Sequence, residues 1–354
     1  MLDLPVVWAE DCLAHLPGAE IWVGVRTPGT ELPERATTLR DAVLAAGGRL
    51  VPAAGHDDAL VRTVHDPAFL DHLASVHDSW LAAGFDQDPG QDRVVPYVFP
   101  TPAMLDGLPV REPVAIHARA GRYCYDTMTL VGPGTWAAAR AAADAAQTAA
   151  DLIAAGERAA YAICRPPGHH ATRGGYGGSC YLNNAAVAAQ ALRVAGVERV
   201  AVIDVDAHHG NGTQAIFYHR ADVFYGSVHV DPGAGWFPHY AGFADETGAG
   251  DGRGANRNAP LAPGTGDAGW LAGLTEICAA VAAFRPGAVV LSLGVDAAQD
   301  DPESPLRVSV DGYACSGGLV GELGVPVVAV HEGGYHLPTL GALTVATLRG
   351  LIDK

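Results

Sequence analysis

The sequence predicts an α/β protein with a central parallel β-sheet covered by helices on both faces. From about residue 134 onward, short apolar runs alternate with stretches of helical periodicity, the pattern of strand–helix–strand units. The apolar runs show no polar alternation, which is typical of strands buried on both faces. Hydrophobic residues make up 49% of the 354-residue chain, enough for a large core. Because the sequence has no internal repeat and no linker, we expect one domain over residues 1–354.

The N-terminal third predicts two helices followed by an irregular arm. Helical periodicity is present in ERATTLRDAVLAAGG (34–48) and in DPAFLDHLASVHDSW (66–80). We expect Asp66 to cap the second helix, with Pro67 at its first position. Residues 87–122 are punctuated by proline and glycine and have little periodicity. A segment of this length without regular structure is typically a lid or an interface arm.

The remaining two thirds predict alternating strands and helices. The segment 134–156 is predicted to be a long helix with Thr135 as its N-cap and Gly156 as its stop. A later helix begins at Asp267, its expected cap, and carries apolar residues at helical spacing. The other predicted elements are helices at 183–196, 212–219 and 338–352, and strands at 159–164, 199–205, 222–229, 288–294 and 325–331.

Composition and charge exclude several classes of function. The net charge of −17 argues against a nucleic-acid partner, since phosphate binding needs a basic face, whereas an acidic surface attracts cationic substrates. The six cysteines include no C-x-x-C pair, the pattern of reduced thiols in a cytoplasmic enzyme. There is no signal-peptide pattern, and no apolar run reaches the ~20 residues of a membrane span. We therefore expect a cytoplasmic protein that contacts neither nucleic acid nor membrane.

Polar clusters follow four of the predicted strands. They are RPPGHHA (165–171), DVDAHHG (204–210), GVDAAQDDP (294–302) and HEGGYH (331–336). In open α/β sheets, ligands bind in the crevice beyond the carboxyl ends of the strands. The sequence therefore predicts that these clusters converge on one active site.

A metal site is predicted from three of the clustered residues. Asp206 and His208 are spaced so that both can face a common point, and Asp296 can supply a third ligand from the next cluster. Three protein ligands with an open position is the pattern of a catalytic zinc site, although this ligand set also accepts iron, manganese or cobalt. The competing interpretation is that Asp206 caps a turn and His208 is an ordinary core histidine.

Two adjacent histidines are candidates for proton transfer. Rings at His169 and His170 can reach one cavity from a single turn and can exchange a proton with water and with a leaving amine. Each ring needs an orienting partner, for which Asp204 and Asn211 are the nearest candidates. Tyr335, after two glycines, can polarise a substrate carbonyl, although such a tyrosine is ordinarily a packing residue.

A glycine-rich segment matches the dinucleotide-binding pattern only superficially. GTGDAG (264–269) fits G-x-G-x-x-G, but it follows APLAP instead of a strand. Because that fingerprint requires a preceding strand, we do not expect nucleotide binding here.

The combined motifs resemble the arginase–deacetylase superfamily. The segments that carry the resemblance, in chain order, are RPPGHHA, GGSCYLNNAA, DVDAHHGNGTQ, LGVDAAQDDP and EGGY. Within this superfamily they look like zinc-dependent histone-deacetylase-type enzymes of the class II and bacterial branch. Three further stretches are similar to acetylpolyamine amidohydrolases, namely GRYCYDTMTLVGPGTWAAA, HVDPGAGWFPHYAG and GDGRGANRNAPLAPGTGD. The resemblance covers nearly the whole chain and implies the arginase–deacetylase fold.

The resemblance implies roles for individual residues. It implies one zinc ion per subunit, held by the three predicted ligands, with the two histidines as the acid/base pair and Tyr335 as the oxyanion stabiliser. It also implies that Asp204 orients the first histidine and that Asn211 stands where some members have an aspartate, so that the second histidine is less stabilised as a cation. His209 is expected to be structural.

Cation sites and a substrate channel are also implied. A structural potassium ion is expected on Asp204, with backbone carbonyls and one hydroxyl from Asp206, His208, Ser227 and Val228; a second site, if present, uses backbone around Phe217, Arg220 and Val223. The channel is expected to be lined by Gly178, Ser179, Phe237 and Gly334. Ser179 departs from the family, which usually has an aromatic ring there, so the channel should be wider or more polar. A homodimer is expected, with the arm at 87–122 narrowing the mouth.

The favoured activity is metal-dependent hydrolysis of an acetylated cationic amine such as an acetylpolyamine. Removal of acyl groups from lysine side chains, or from a specialised metabolite, is the main alternative, which Ser179 keeps open. An arginase-like ureohydrolase requires a carboxylate where this chain has Gly210. A catalytically inactive acetyl-binding module predicts damage to a ligand, the histidine pair or the tyrosine, and all are present.

Overall fold

The computed structural model describes residues 1–353 and has an eight-stranded parallel sheet at its centre. Its spatial order is β4-β1-β5-β10-β9-β6-β7-β8, and β2 and β3 form a separate antiparallel hairpin. The strands are β1 (Pro5–Trp8), β2 (Glu20–Trp22), β3 (Val25–Thr27), β4 (Arg49–Pro52), β5 (Ala159–Ala162), β6 (Val200–Asp204), β7 (Val223–Val230), β8 (Asn256–Leu261), β9 (Ala288–Leu293) and β10 (Val327–His331).

Helices connect the strands and cover both faces of the sheet. They are α1 (Pro33–Ala45), α2 (Val61–Val64), α3 (Pro67–Ala82), α4 (Pro102–Leu105), α5 (Ile116–Tyr123), α6 (Thr135–Ala154), α7 (Asn184–Val194), α8 (Asn211–Phe217), α9 (Asp267–Phe284), α10 (Val310–Gly321) and α11 (Leu337–Ile352). Short 3₁₀ turns lie at Glu10–Ala14, Phe85–Gln87, Pro232–Ala234 and Gly250–Gly252.

Two hydrophobic cores lie on opposite faces of the sheet. Val200 and Val202 of β6 pack into the core shared with α6 and α7. Ala201 and Ile203, which point the other way, pack into the core shared with α1, α9, α10 and α11. This alternation within one apolar strand is expected for a strand buried on both faces. The predicted fold class is therefore confirmed.

Two of the predicted helix caps are wrong by one residue. The long helix α6 begins at Thr135. The position before it is occupied by Gly134, which has a left-handed φ of +76° and no side chain that could cap the helix. The Thr135 hydroxyl accepts from the Gly132 N–H and contacts Nδ1 of His15. Likewise Gly266 precedes α9, and the carboxylate of Asp267 accepts the N–H and the hydroxyl of Ser309. Both side chains serve tertiary contacts instead of the helix end.

Asp66 occupies the predicted cap position of α3, with Pro67 at the first turn, but its carboxylate does not cap the helix. It lies 2.8 Å from Nε of Arg173 instead. Residues 87–122 are irregular as predicted, except for α4 and all but the last residue of α5.

The sequence analysis did not predict β1, the two edge strands, the hairpin or α10. β4 lies at one edge and is partly exposed, with Arg49 in its sequence, and β8 at the other edge reads NRNAPL. Edge strands tolerate polar residues and proline, so they lack the apolar run that identifies a central strand. α10 contains Gly312, Gly317, Gly318 and Gly321, which weaken its helical signal.

One helix within residues 1–353, α9, is long and apolar enough by composition to cross a membrane. Core helices pass the same test, and the buried side of α9, which includes Trp270, Leu274 and Ile277, packs in the core against the sheet.

Candidate active site

The four polar clusters converge because their strands are neighbours. β5, β10, β9 and β6 are consecutive in the sheet, and each cluster begins at the carboxyl end of its strand. Register places Asp204 of β6 beside Ser292 of β9, and Val330 of β10 beside the same serine. The predicted convergence is thus a direct result of strand order.

The three predicted metal ligands form one compact group. The ligand atoms of Asp206, His208 and Asp296 all lie within 4.8 Å of one another. Nδ1 of His208 is 3.0 Å from Oδ2 of Asp296 and 3.4 Å from Oδ1 of Asp206. Both carboxylates are fully buried, and a pair of buried anions facing an imidazole is costly unless a cation neutralises it. The group therefore fits a divalent metal ion.

The protonation of this group reflects the proximity of its charges. Burial and the charge of Asp206 raise the pKa of Asp296 to about 7. Burial lowers the pKa of His208, but its hydrogen bonds to both aspartates outweigh that effect and raise the pKa well above its usual value. A metal ion at this position replaces the proton on the imidazole, as metal binding requires neutral histidine.

Two glycines leave the space that the carboxylates occupy. A Cβ on Gly294 would lie 2.1 Å from Oδ2 of Asp206, and one on Gly333 would lie 2.5 Å from the same oxygen and 2.6 Å from Oδ2 of Asp296. The Gly333 N–H also donates to Oδ2 of Asp206 at 2.8 Å. The glycines of the GVD and EGGY segments are thus required by close approach to the ligands.

His169 faces two aspartates. Its Nδ1 lies 3.1 Å from Oδ2 of Asp204, and its Nε2 lies 3.8 Å from Oδ1 of Asp206. Burial lowers the pKa of His169, but the charges of Asp206 and Asp204 outweigh burial and raise it to about 10. Tyr225 donates a further hydrogen bond to Asp204 at 3.0 Å, which fixes the carboxylate.

His170 has an amide partner in place of a carboxylate. Its Nδ1 lies 2.7 Å from Oδ1 of Asn211, so that Nδ1–H donates and Nε2 keeps a free lone pair. Burial and the charges of His169 and His208 hold its pKa well below the usual value. Tyr125, which was missed in the sequence, donates to the carbonyl of His170 at 2.8 Å. The two adjacent histidines are therefore pushed toward opposite protonation states.

Glu332 holds the loop that carries both histidines; the sequence placed it in the HEGGYH cluster but gave it no role of its own. It is fully buried, and its Oε2 accepts the N–H groups of Gly168 at 2.7 Å and His169 at 3.1 Å. Its Oε1 accepts from Ser292 at 2.8 Å. Burial raises the pKa of Glu332 to about 7. An ionisable residue directly after a buried strand was the available signal.

Tyr335 is positioned through its backbone and its ring face. Oδ2 of Asp301 accepts the Tyr335 N–H at 2.7 Å, and the Arg35 guanidinium lies 4.7 Å from the ring centroid. Arg35 also donates to the carbonyls of Gly334 and Glu332, both at 2.6 Å. Burial raises the pKa of Tyr335 well above its usual value, which keeps the phenol protonated. Arg35 comes from α1, too far along the chain for spacing to indicate.

A cavity of about 290 Å³ leads to these groups. Its lining includes His170, His208 and Tyr335 together with three of the four predicted channel residues, Gly178, Ser179 and Phe237. The fourth, Gly334, is not part of that lining and instead binds Arg35 behind the tyrosine. Phe237 packs edge-on against His170 with ring centroids 4.7 Å apart.

The Ser179 side of the cavity is a tight turn. Gly177 and Cys180 exchange backbone hydrogen bonds, and Gly178 and Ser179 between them have φ values of +56° and +61°. A Cβ on Gly178 would lie 2.4 Å from Cδ2 of His170, so only glycine fits there. Ser179 presents only a hydroxymethyl group to the cavity, as its sequence implied.

Two glutamates line the same cavity, and sequence reasoning missed both. Glu20 comes from the β2–β3 hairpin and Glu303 from the loop after β9. Burial and the charge of Glu303 raise the pKa of Glu20 to about 7. Their distance along the chain left no signal, because only the fold brings them together.

In the region expected to hold potassium, the Ser227 hydroxyl donates its proton to a histidine and keeps its oxygen lone pairs free. Ser227 pairs with Asp204 in the β6–β7 register. His229 Nε2 lies 2.8 Å from the Gly242 carbonyl, so it carries the proton, and Nδ1 must accept from the Ser227 hydroxyl at 2.8 Å. Burial lowers the pKa of His229 to about 4, which keeps the ring neutral. The lone pairs of Ser227 remain available to a cation.

His209 is turned away from the metal group. Its Nε2 lies 3.0 Å from Oε1 of Gln214, and burial holds its pKa well below the usual value. Its structural interpretation therefore fits the geometry.

Comparison with known proteins places this geometry in a family. Residues 30–351 match the histone deacetylase domain. The chain belongs to the histone deacetylase family. Its sheet order, strand-end site and metal group accordingly represent the arginase–deacetylase fold that the motifs implied.

Two relatives that match this deacetylase-family chain over most of its length are acetylpolyamine amidohydrolases. It is 41% identical over 352 residues to acetylpolyamine amidohydrolase from Mycoplana ramosa, covering 98% of this chain and 99% of that protein. It is 45% identical over 318 residues to acetylpolyamine amidohydrolase from Burkholderia pseudomallei (strain 1710b), covering 88% of each. The crystal structure of acetylpolyamine aminohydrolase from Burkholderia pseudomallei superimposes with a TM-score of 0.91 at 40% identity, covering 99% of this chain and 98% of the other.

Proposed function

We propose that this deacetylase-family protein is a metal-dependent amidohydrolase that removes the acetyl group from N-acetylated polyamines. The observation that carries the proposal is the shared cavity, whose lining includes Glu20 and Glu303 together with His170, His208 and Tyr335. Carboxylates in the same cavity as the reacting groups suit a substrate that carries both an ammonium and an amide. Relatives over nearly the full length are named acetylpolyamine amidohydrolases.

The metal is proposed to be zinc on Asp206, His208 and Asp296, with iron, manganese and cobalt as alternatives that the same ligands accept. A divalent ion there supplies polarisation of the acetyl carbonyl and activation of water. Potassium is proposed as a structural ion near Asp204 and Ser227, supported by the free lone pairs of the serine. The carbonyls of Asp206, His208 and Val228 would complete that site.

His170 is proposed as the general base. Because its Nδ1–H is committed to Asn211, Nε2 is the atom that takes a proton from water and returns one to the leaving amine. His169 is paired with the carboxylate of Asp204 and therefore remains cationic beside the reacting centre. Two neighbouring titratable groups whose pKa values are shifted in opposite directions are typical of acid/base pairs in active sites.

Tyr335 is proposed as the oxyanion stabiliser. It lines the inner end of the cavity with His170 and His208, and its phenol stays protonated at neutral pH. A fixed donor aimed at the carbonyl oxygen stabilises the charge that develops in the transition state. Asp301 and Arg35 hold the tyrosine backbone and ring so that little reorganisation is needed.

A ureohydrolase activity is disfavoured by the space around Gly210. Such an enzyme needs a carboxylate at this position for its second metal ion, whereas a Cβ on Gly210 would lie 2.3 Å from Oδ2 of Asp204 and 2.6 Å from the Tyr225 hydroxyl. An inactive binding module is also disfavoured, since ligands, histidines and tyrosine share one site. Deacylation of lysine side chains or of a specialised metabolite remains the alternative, and Ser179 is its supporting observation.

The segment 87–122 is proposed as an arm that pairs two subunits. It exposes Tyr97, Met104, Leu108 and Val114, each more than three-fifths exposed, and forms an apolar groove of about 430 Å³. A cytoplasmic location is proposed with it, supported by five buried free cysteines and one exposed one.

The experiment is a side-by-side comparison of turnover. The purified zinc-loaded protein is assayed with acetylputrescine, acetylspermidine and an acetyl-lysine peptide, and with Tyr335→Phe as the control for activity of contaminants. We expect the acetylated amines to have the higher kcat/KM. A preference for the peptide contradicts the proposal. Undiminished activity in Tyr335→Phe also contradicts it.

A further inference from the structure

Met128 is part of the apolar lining of the substrate cavity, together with Trp22, Trp236 and Phe237. Both oxygens of one carboxylate, Asp126, fix its place: Oδ1 accepts the Met128 N–H at 2.9 Å, and Oδ2 accepts the Gly178 N–H at 2.6 Å. Met128 therefore lies directly beside the Gly178–Ser179 turn, and it lines the cavity together with both residues.

The residues on either side of Met128 hold it in place by hydrogen bonds to two different segments of the cavity wall. The Thr129 hydroxyl accepts the Ser179 N–H at 2.9 Å, on the inner side. The Thr127 hydroxyl donates to the carbonyl of Ile21 at 2.8 Å, between Glu20 and Trp22 of the hairpin. Met128 is thus held between the Gly178–Ser179 turn and the hairpin that carries Glu20.

Carboxylates in the cavity lining are confined to Glu20 and Glu303. Beside Ser179, the small side chain leaves Met128 as the neighbouring apolar surface. A methylene chain packs well on a thioether side chain, whereas an ammonium there loses water. The carboxylate beside Met128, that of Asp126, does not line the cavity and already accepts the N–H groups of Met128, Thr129 and Gly178. The apolar stretch at Met128 is therefore separate from the two glutamates.

We propose that Met128 determines specificity for acetylated diamines with one uninterrupted methylene chain and a single terminal ammonium. Such substrates place their methylenes against Met128 and their charge at Glu20 and Glu303. An internal ammonium close to the amide, as in acetylspermidine acylated on its aminopropyl end, falls beside Met128 instead. This inference rests on the proposed function, since it names the amines that the same site prefers.

The test compares acetylcadaverine with acetylspermidine acylated on its aminopropyl end, as a ratio of kcat/KM. The wild-type protein should prefer acetylcadaverine. Met128→Glu supplies a counter-charge at the partly exposed position and should shift the ratio toward acetylspermidine about tenfold, the equivalent of one partly desolvated ion pair. Met128→Leu keeps an apolar wall and should retain the wild-type preference.

A matched control separates local from general charge. Val194→Glu adds the same charge at the exposed C-terminal end of α7. This end leads into the amino end of β6, whereas the active site lies at the carboxyl ends of the strands, so the ratio should stay unchanged. Thermal melting of each variant confirms folding. A wild-type preference for acetylspermidine, or an unchanged ratio in folded Met128→Glu, overturns the inference. If the wild type hydrolyses only the acetyl-lysine peptide, the proposed function fails and the inference fails with it.

Discussion

Nδ1 of His170 lies 2.7 Å from the amide oxygen of Asn211, whereas Nδ1 of the adjacent His169 lies 3.1 Å from a carboxylate oxygen of Asp204. The two rings are in van der Waals proximity, with centroids 3.9 Å apart. Adjacent imidazoles this close cannot easily both be cationic, because like charges in a buried site repel. The charges of Asp206 and Asp204 favour the proton on His169, whereas His170 has only an amide partner, so His169 is the ring that carries the charge.

Asn211→Asp should move the acidic limb of the kcat/KM profile to higher pH. The new carboxylate stabilises protonated His170, so its pKa rises, and a general base whose pKa rises is inactivated at a higher pH as the pH falls. We expect a shift of roughly one to two pH units, the usual effect of an adjacent opposite charge. A pH–rate profile measures it. Asn211→Ala adds no charge, and an equal upward shift in that variant would contradict the explanation.

Tyr335→Phe should lower kcat with little change in KM. The phenol donates to charge that develops in the transition state, and loss of one such donor costs roughly 10²- to 10³-fold in rate. Steady-state kinetics with acetylputrescine measures the loss. Because the ring remains, its contact with Arg35 is retained and the variant should melt near the wild-type temperature. A rise in KM with unchanged kcat would assign the tyrosine to binding only.

Asp296→Asn should reduce bound metal. The wild-type protein is expected to hold about one ion per subunit, and the amide is a weaker ligand that leaves His208 with one carboxylate partner. Metal content by mass spectrometry, after dialysis against a chelator, is the measurement. Asp301→Asn is the matched control, since Asp301 binds the N–H groups of Tyr335 and His336. That variant should keep its metal and lose kcat, and metal loss in both would contradict the assignment.

The sequence predicted the inner half of the site well because its residues follow buried strands. Asp204 is the last residue of β6 and Asp206 follows it, Asp296 comes after β9 and Tyr335 after β10, so strand order alone brings them together. Local periodicity sufficed for those strands. It could not find β4 and β8, since edge strands carry polar residues that break the apolar pattern.

The outer half of the site was invisible in the sequence because it depends on long-range contacts. Glu20 lines the cavity from the β2–β3 hairpin, to which Thr127 donates a hydrogen bond, and Arg35 reaches Gly334 from the other end of the chain. Gly334 was expected in the channel as part of a motif, yet its carbonyl faces Arg35 behind the tyrosine. Motifs indicate chemistry, whereas the shape of the channel is set by loops whose packing has no periodic signal.

Leu108→Asp should weaken self-association. Leu108 is 69% exposed on the arm and lines its apolar groove, so a second subunit is expected to bury it. A charge in the buried centre of an interface is strongly unfavourable. Sedimentation velocity should show a dimer for the wild type and a monomer for the variant. Val194→Glu, an equally exposed position on α7, is the control, and a wild-type monomer would contradict the proposed arm.

Glu20→Gln should abolish a pH dependence of KM for cationic substrates. The pKa of Glu20 is raised to about 7 by burial and by the charge of Glu303, so the carboxyl loses its charge as the pH falls through that value. A neutral carboxyl no longer attracts an ammonium, and KM for acetylputrescine should therefore rise below about pH 7 in the wild type. In Glu20→Gln, KM should be high at every pH, by roughly tenfold at neutral pH, as expected for loss of one partly desolvated ion pair.

A neutral acetamide with an alkyl chain should show neither effect. Glu157→Gln is the control. Glu157 lies just before β5, at the amino ends of the strands, and its side chain pairs with Arg49 there. If KM for acetylputrescine in the wild type is the same on both sides of pH 7, Glu20 does not bind the ammonium.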